Sequence, residues 1–248
     1  MSKNINYKKP FLKEVILRID FPVPTPGLEK PIPENILKII LKNFPISEPQ
    51  KLLTHELQLS IDNVKSKQSE ITEWVFHSNE RDKTLKISSS SMIIVVKKYT
   101  SFENLYVISK DVIEALYKKF KELIVNRIGL RYVNIIEPGG SDPLSWADYI
   151  NEKMLGIIDF NERKDSITRA FHILEYNFND IRVKFQFGIA NPDYPAIIKK
   201  KQFVLDIDSY ANGAFELQEI LANIEAAHEK VQEIFESSIT DKTRHMMG

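Results

Sequence analysis

The stretch FLKEVILRIDF, residues 11–21, carries the reading on which the fold rests. Val15, Leu17, Ile19 and Phe21 fall on one side of an extended chain, and Glu14, Arg18 and Asp20 on the other. Alternation with a period of two is the signature of a strand with one buried and one wet face. Downstream, Pro22, Pro24, Pro26, Gly27, Pro31 and Pro33 interrupt regular structure, and Pro33 suits the first turn of a helix. Ile36, Ile39, Ile40 and Phe44 follow at helical spacing until Pro45 stops them.

Strand patterns return over residues 55–99. Leu57, Leu59 and Ile61 alternate with polar residues, Trp74 and Phe76 with Glu73 and Val75, and residues 79–83 supply turn chemistry before Leu85 and Ile87. The serines at 88–91 turn the chain into an unbroken apolar run, 92–96, that suits a strand covered on both faces. An antiparallel meander is the simplest account. Ser109 then reads as the N-cap of a helix with Asp111 at its positive end, an apolar stripe of Ile113, Leu116, Tyr117, Phe120, Leu123 and Ile124, and a stop at Gly129. A strand over 130–136 follows.

Residues 138–143, Pro-Gly-Gly-Ser-Asp-Pro, are the strongest break and divide the chain into an N-terminal half, 1–137, and a C-terminal half, 138–248, packed as one unit. In the second half, residues 144–160 read as short helices or irregular structure. Strands are predicted over 167–176, 181–189 and 203–208, and Asn212 as the cap of a final helix striped by Leu217, Leu221, Ile224, His228, Val231 and Phe235. The fold class predicted is α+β: two similar halves, each an antiparallel sheet covered by a long helix. An internal repeat is expected, with WVFHSN at 74–79 answering HILEYN at 172–177, and IIVVKKY at 93–99 answering VLDIDSY at 204–210.

Composition bounds what such a fold does. The 248 residues carry 34 Lys and Arg against 34 Asp and Glu, 43% are hydrophobic and 10% aromatic, which excludes global disorder. Zero net charge argues against a protein built to grip phosphate backbones. Without cysteine there is no disulfide framework, thiolate zinc site or Cys nucleophile. The polar first ten residues lack the apolar stretch of a signal peptide, and no run approaches a membrane span. A cytoplasmic protein without a membrane partner is expected.

The stretch Gly129-Leu130-Arg131-Tyr132-Val133-Asn134 resembles the signature of a sporadically distributed prokaryotic protein family. The opening residues 9–15, the strand Leu205-Asp206-Ile207-Asp208, and His228 followed by Phe235-Glu236-Ser237-Ser238-Ile239-Thr240-Asp241 resemble its start, late strand and final helix. The similarity spans nearly the whole chain. It implies a prokaryotic origin and brings no activity, cofactor or catalytic residue with it.

The candidate chemistry is sparse. Asp206 and Asp208 leave one face of a strand and are the only metal candidates, as in nucleotidyl-transfer enzymes; the plainer reading sends them to water or to a basic neighbour such as Lys97. Arg131 and Asn134 are an odd number apart, so they point to opposite faces. One of them then faces the covered side, as a hydrogen-bonded anchor between strand and helix, while Arg131 could instead receive an anion. Arg131, Asn134, Asp206 and Asp208 are thus the ligand-binding candidates. His228 and Phe235 share the apolar stripe of the last helix and read as core or interface groups. His55, His77, His172 and His245 show no zinc-hydrolase spacing, and no phosphate-cradling glycine loop or nucleophile elbow exists. Lys199, Lys200 and Lys201, with Lys184 and Arg182 and the rings of Tyr194 and Phe203, offer a basic spot for single-stranded nucleic acid, or merely a solvated face.

The function expected is a non-enzymatic binding or scaffold protein without cofactor, an accessory of a defence-type system. Its partner would be another protein or a second copy in a dimer. Two alternatives stay open: a metal-dependent enzyme acting on nucleotides or phosphoesters through Asp206 and Asp208, and a nucleic-acid-binding protein, against which the overall charge balance weighs.

Overall fold

The computed structural model describes residues 5–60, 63–160 and 162–248, with side chains described outside 52–60 and 63–69. The side chains of His55, Leu57 and Leu59, and Ile61 altogether, lie outside the described residues. Strands β1 (Leu12–Asp20), β2 (Ile46–Ser47), β3 (Gln50–Ser60), β4 (Asn63–His77), β5 (Lys83–Ile87), β6 (Ser91–Val96), β7 (Val125–Ile136), β8 (Ala170–Phe178), β9 (Ile181–Ile189) and β10 (Phe203–Phe215) build one antiparallel sheet. Its order is β2-β4-β5-β6-β1-β7-β10-β9-β8, and β3 pairs with the outer length of β4.

β1 sits at the centre of this order, and its alternation is complete. Val15, Leu17 and Ile19 are buried while Glu14, Ile16, Arg18 and Asp20 look the other way, and β6 and β7 pair with its two edges. The helices are α1 (Glu34–Ile40), α2 (Phe102–Lys119), α3 (Gly156–Asp159), α4 (Leu217–Ser238) and α5 (Asp241–Met247). α4 packs on β10, β7 and β9, and α2 lies between α1 and α4, with Ile113, Leu116 and Tyr117 over Ile19 and Met92. The core is the layer between these helices and one face of the sheet. Among the described residues no helix is long and apolar enough to cross a membrane.

Several expectations change. The two expected sheets are one, because β7 pairs with β10 along its length, from Ile136↔Phe203 to Val125↔Phe215, and carries the sheet across the break at 138–143. α2 starts at Phe102, where the Ser101 hydroxyl accepts the Asn104 N–H at 3.2 Å; Ser109 sits inside the helix and donates to the Tyr106 carbonyl. Both serines offer cap chemistry, and the earlier one prevails because it lets Phe102, Leu105 and Ile108 join the core. Gly129 does not end a helix but lies within β7. Asn212 is a strand residue, and α4 is opened by a capping box of Glu216 and Glu219. Residues 92–96 are covered on one face alone: Met92, Ile94 and Val96 are buried, whereas Ile93 and Val95 face the side that, among the described residues, carries no helix.

Candidate functional site

The residues singled out by sequence divide between the two faces of the sheet, and β7 is where they part. Arg127, Gly129 and Arg131 project to the helix-free face, while Ile128, Leu130, Tyr132 and Asn134 project toward the helices. On the helix-free face Arg131 stands opposite Asp208 of β10 but grips the diagonal Asp206, Nε to Oδ1 at 2.7 Å and Nη2 to Oδ2 at 2.6 Å. A long side chain spans that diagonal readily, and the planar fork matches the carboxylate. Arg127 reaches Asp208 at 3.4 Å and Asp20 of β1 at 3.8 Å, and Asp20 takes Nε of Arg18 at 2.7 Å. The result is a ladder of alternating sign, Arg18, Asp20, Arg127, Asp208, Arg131, Asp206, across three central strands.

Gly129 makes room for it. A Cβ there would stand 2.8 Å from Nη1 of Arg127, so with glycine the guanidinium rests over this backbone unshifted, 4.9 Å from the centre of the Tyr210 ring on the neighbouring strand. Beside the ladder lies a groove of about 600 Å³ with Ile16, Ile93 and Val95 in its lining. Electrostatically the members differ. The bond to Asp206 raises the Arg131 pKa above its ordinary value, whereas burial pushes the Asp208 carboxyl up despite Arg127 and Arg131 nearby. The basic partners of the two aspartates are therefore arginines of the adjacent strand. Lys97, the expected neighbour, lies past the end of β6, where its N–H bonds to the Asp82 carbonyl. Both Asp206 oxygens are engaged, and among the described residues no group of three or more potential ligands gathers to hold a metal.

On the helix side Asn134 is buried, and its amide donates to the Leu205 carbonyl of β10 at 3.3 Å. It ties strand to strand, not strand to helix as expected. The link to the helix layer is made by Tyr132 and His228, hydroxyl oxygen to Nδ1 at 3.1 Å, with the Tyr99 hydroxyl 2.9 Å from that of Tyr132. His228 stacks face to face on Phe102, ring centres 3.9 Å apart. Burial holds its pKa down to about 4 and raises those of Tyr132 and Tyr99, so the trio is neutral at pH 7. A neutral imidazole and two hydroxyls can each donate or accept, so the three share one hydrogen-bonded chain. A cavity of about 70 Å³ opens beside them, lined also by Asn134, Phe235 and Tyr7. Neither tyrosine was singled out by sequence; the signal was there, since Tyr132 shares the parity of Asn134.

Of the residues read as a basic spot, Lys199, Lys200 and Arg182 are exposed. Phe203 is buried and offers no stacking surface, Lys201 lies over the rings of Trp146 and Tyr149, Arg169 lies 4.0 Å from the centre of the exposed Tyr194 ring, and Lys184 faces Asp208 on the open side. No family model matches the chain, and a search of curated proteins gave no match.

Proposed function

We propose that this chain is a non-enzymatic binding protein that receives a polypeptide partner on the helix-free face of its sheet. The observation that carries the reading is the alternating ladder from Arg18 to Asp206 beside a groove with Ile16, Ile93 and Val95. Charges already paired one to one, next to apolar side chains, favour a partner that brings both signs and apolar groups of its own. A polyanion draws its affinity from uncompensated cations instead. The engagement of Asp206 and Asp208 by arginines also favours binding over phosphoester or nucleotide chemistry, since magnesium needs free oxygen ligands.

The same reading takes the chain as two similar halves. The order β1, then β4-β5-β6, then α2 is followed by β7, then β8-β9-β10, then α4, with β1 and β7 antiparallel neighbours at the centre of the sheet. WVFHSN and HILEYN fall on β4 and β8, and IIVVKKY and VLDIDSY begin on β6 and β10, which supports the correspondence. It sets the boundary just before β7 instead of at residue 138. A role as accessory of a prokaryotic defence-type system rests on the family resemblance alone.

A photo-cross-linking residue at position 93, in the groove, tests the reading against one at exposed position 107 on α2. Discrete polypeptide adducts in source cells are expected from 93 alone and should disappear when Arg18→Glu and Arg127→Glu are added. Absence of adducts from 93, or adducts indifferent to those reversals, removes the proposal. Calorimetric binding of magnesium that vanishes in Asp206→Asn would instead favour the enzymatic alternative, and a gel shift at low salt the nucleic-acid one.

A further inference from the structure

The two edges of the sheet are built differently. At one, β2 lies between Pro45 and Pro49, and past Pro49 β3 continues the same register along β4, so proline breaks this edge into two pieces. At the other, β8 runs for nine residues, AFHILEYNF, with no proline, glycine or lysine and a single charge, Glu175. Phe171 and Ile173 project from its helix-free face and Leu174 and Tyr176 from the other, with 37%, 55%, 45% and 36% of their surface exposed. Among the described residues β9 is its only strand neighbour.

We propose that β8 is a self-association edge, on which a second copy of the chain pairs antiparallel about a twofold axis at His172. A twofold normal to the sheet keeps each face on its own side, so residues of like parity must meet. Centring the axis on Ile173 or Leu174 sets Glu175 against Phe171 or Ile173, and centring it on Glu175 sets carboxylate against carboxylate. With the axis at His172, Glu175 meets Arg169 of the second copy, Ile173 meets Phe171, and Leu174 meets Ala170. Arg169 stands exposed just before the strand, held over the Tyr194 ring. His172 lies on the axis. Its ring stacks on Phe187, and its Nε2 is buried without any hydrogen-bond partner. The axis brings the second His172 ring alongside this one on the same face of the joined sheet. This surface is distinct from the groove, and one can fail without the other.

Sedimentation equilibrium over a concentration series is the test. The natural chain is expected to show a monomer–dimer equilibrium, and Ile173→Lys to remain monomeric. Glu175→Arg and Arg169→Glu should each raise the dissociation constant about tenfold, since the twofold counts each change twice, and the double exchange should restore it. All three positions are at the surface, and unchanged thermal melts exclude misfolding as the cause. The chain has no cysteine, so His172→Cys reports the register directly. Directly opposed antiparallel residues have Cα atoms about 4.5–5.5 Å apart, within reach of a disulfide. Mild oxidation should cross-link Cys at 172 faster than at 174. A natural chain that stays monomeric at high micromolar concentration, a double exchange that fails to restore pairing, or faster cross-linking at 174 overturns the proposal.

Discussion

Along β7 the side chains of Tyr132 and Asn134 and those of Arg127 and Arg131 leave one backbone in opposite directions and meet different surroundings. Under the helices, polar groups persist by staying neutral: Tyr99, Tyr132 and His228 exchange hydrogen bonds in a layer of apolar contacts. On the helix-free face they persist by pairing opposite charges at the margin of water. Burial moves titration in opposite senses on the two sides, down for His228 and up for Asp208, because in each case it disfavours the charged form. One sheet thus has a face that specifies packing and a face that remains available for recognition.

The comparison breaks most visibly at neighbouring residues of β1. Leu17→Ala, on the helix side where the side chain is fully buried, is expected to lower stability by about 3–4 kcal/mol in urea unfolding; Ile16→Ala, in the groove, by about 1 or less. Equal losses would mean that the open face is as tightly packed as the core.

Acid comes next. His228 is neutral in the folded chain down to about pH 4, whereas the unfolded side chain protonates near 6.5. The folded state binds fewer protons in that window, so stability is full above pH 6.5 and falls by up to about 3 kcal/mol as the pH drops to 4. His228→Gln should flatten the dependence of the urea midpoint over that range. A slope that survives the substitution would place the titrating group elsewhere.

Arg131→Leu is expected to cost about 2 kcal/mol by leaving the Asp206 carboxylate without its fork, a modest loss because the arginine is itself half in water. The double change with Asp206→Leu should recover most of it, as a double-mutant cycle would report. The smallest effect is at Asp208. Its folded pKa is raised, so its contribution to stability is present at low pH and is lost as the pH rises through that range, the reverse of His228. Asp208→Asn, which carries no charge to desolvate, should remove that slope and raise the neutral-pH midpoint slightly.

Much of the fold was legible where the chain speaks locally. β1 and β9 match the stretches read from alternation, and the opposed directions of Arg131 and Asn134 follow from parity alone. Reading failed where two local signals competed. Ser101 and Ser109 both suit a cap, and Gly129 suits a helix stop as well as a strand beneath an arginine. It also fell short wherever the answer was a register. That Arg131 holds Asp206, that Asn134 bonds β10 and not a helix, and that Tyr132 meets His228 depend on residues 71–96 positions apart in the chain.

By itself, then, the sequence determined most of the extended and helical segments, the apolar side of strands such as β1 and β9, and the absence of thiol chemistry. Those properties depend on side-chain period and composition, which act over a few residues. Only the tertiary structure decided that the strands join into a single sheet, that its second face stays uncovered, and that β8 is left as an edge. Those outcomes are set by which strand pairs with which, and antiparallel pairing follows from burial summed over the whole core, which no stretch of the chain encodes alone.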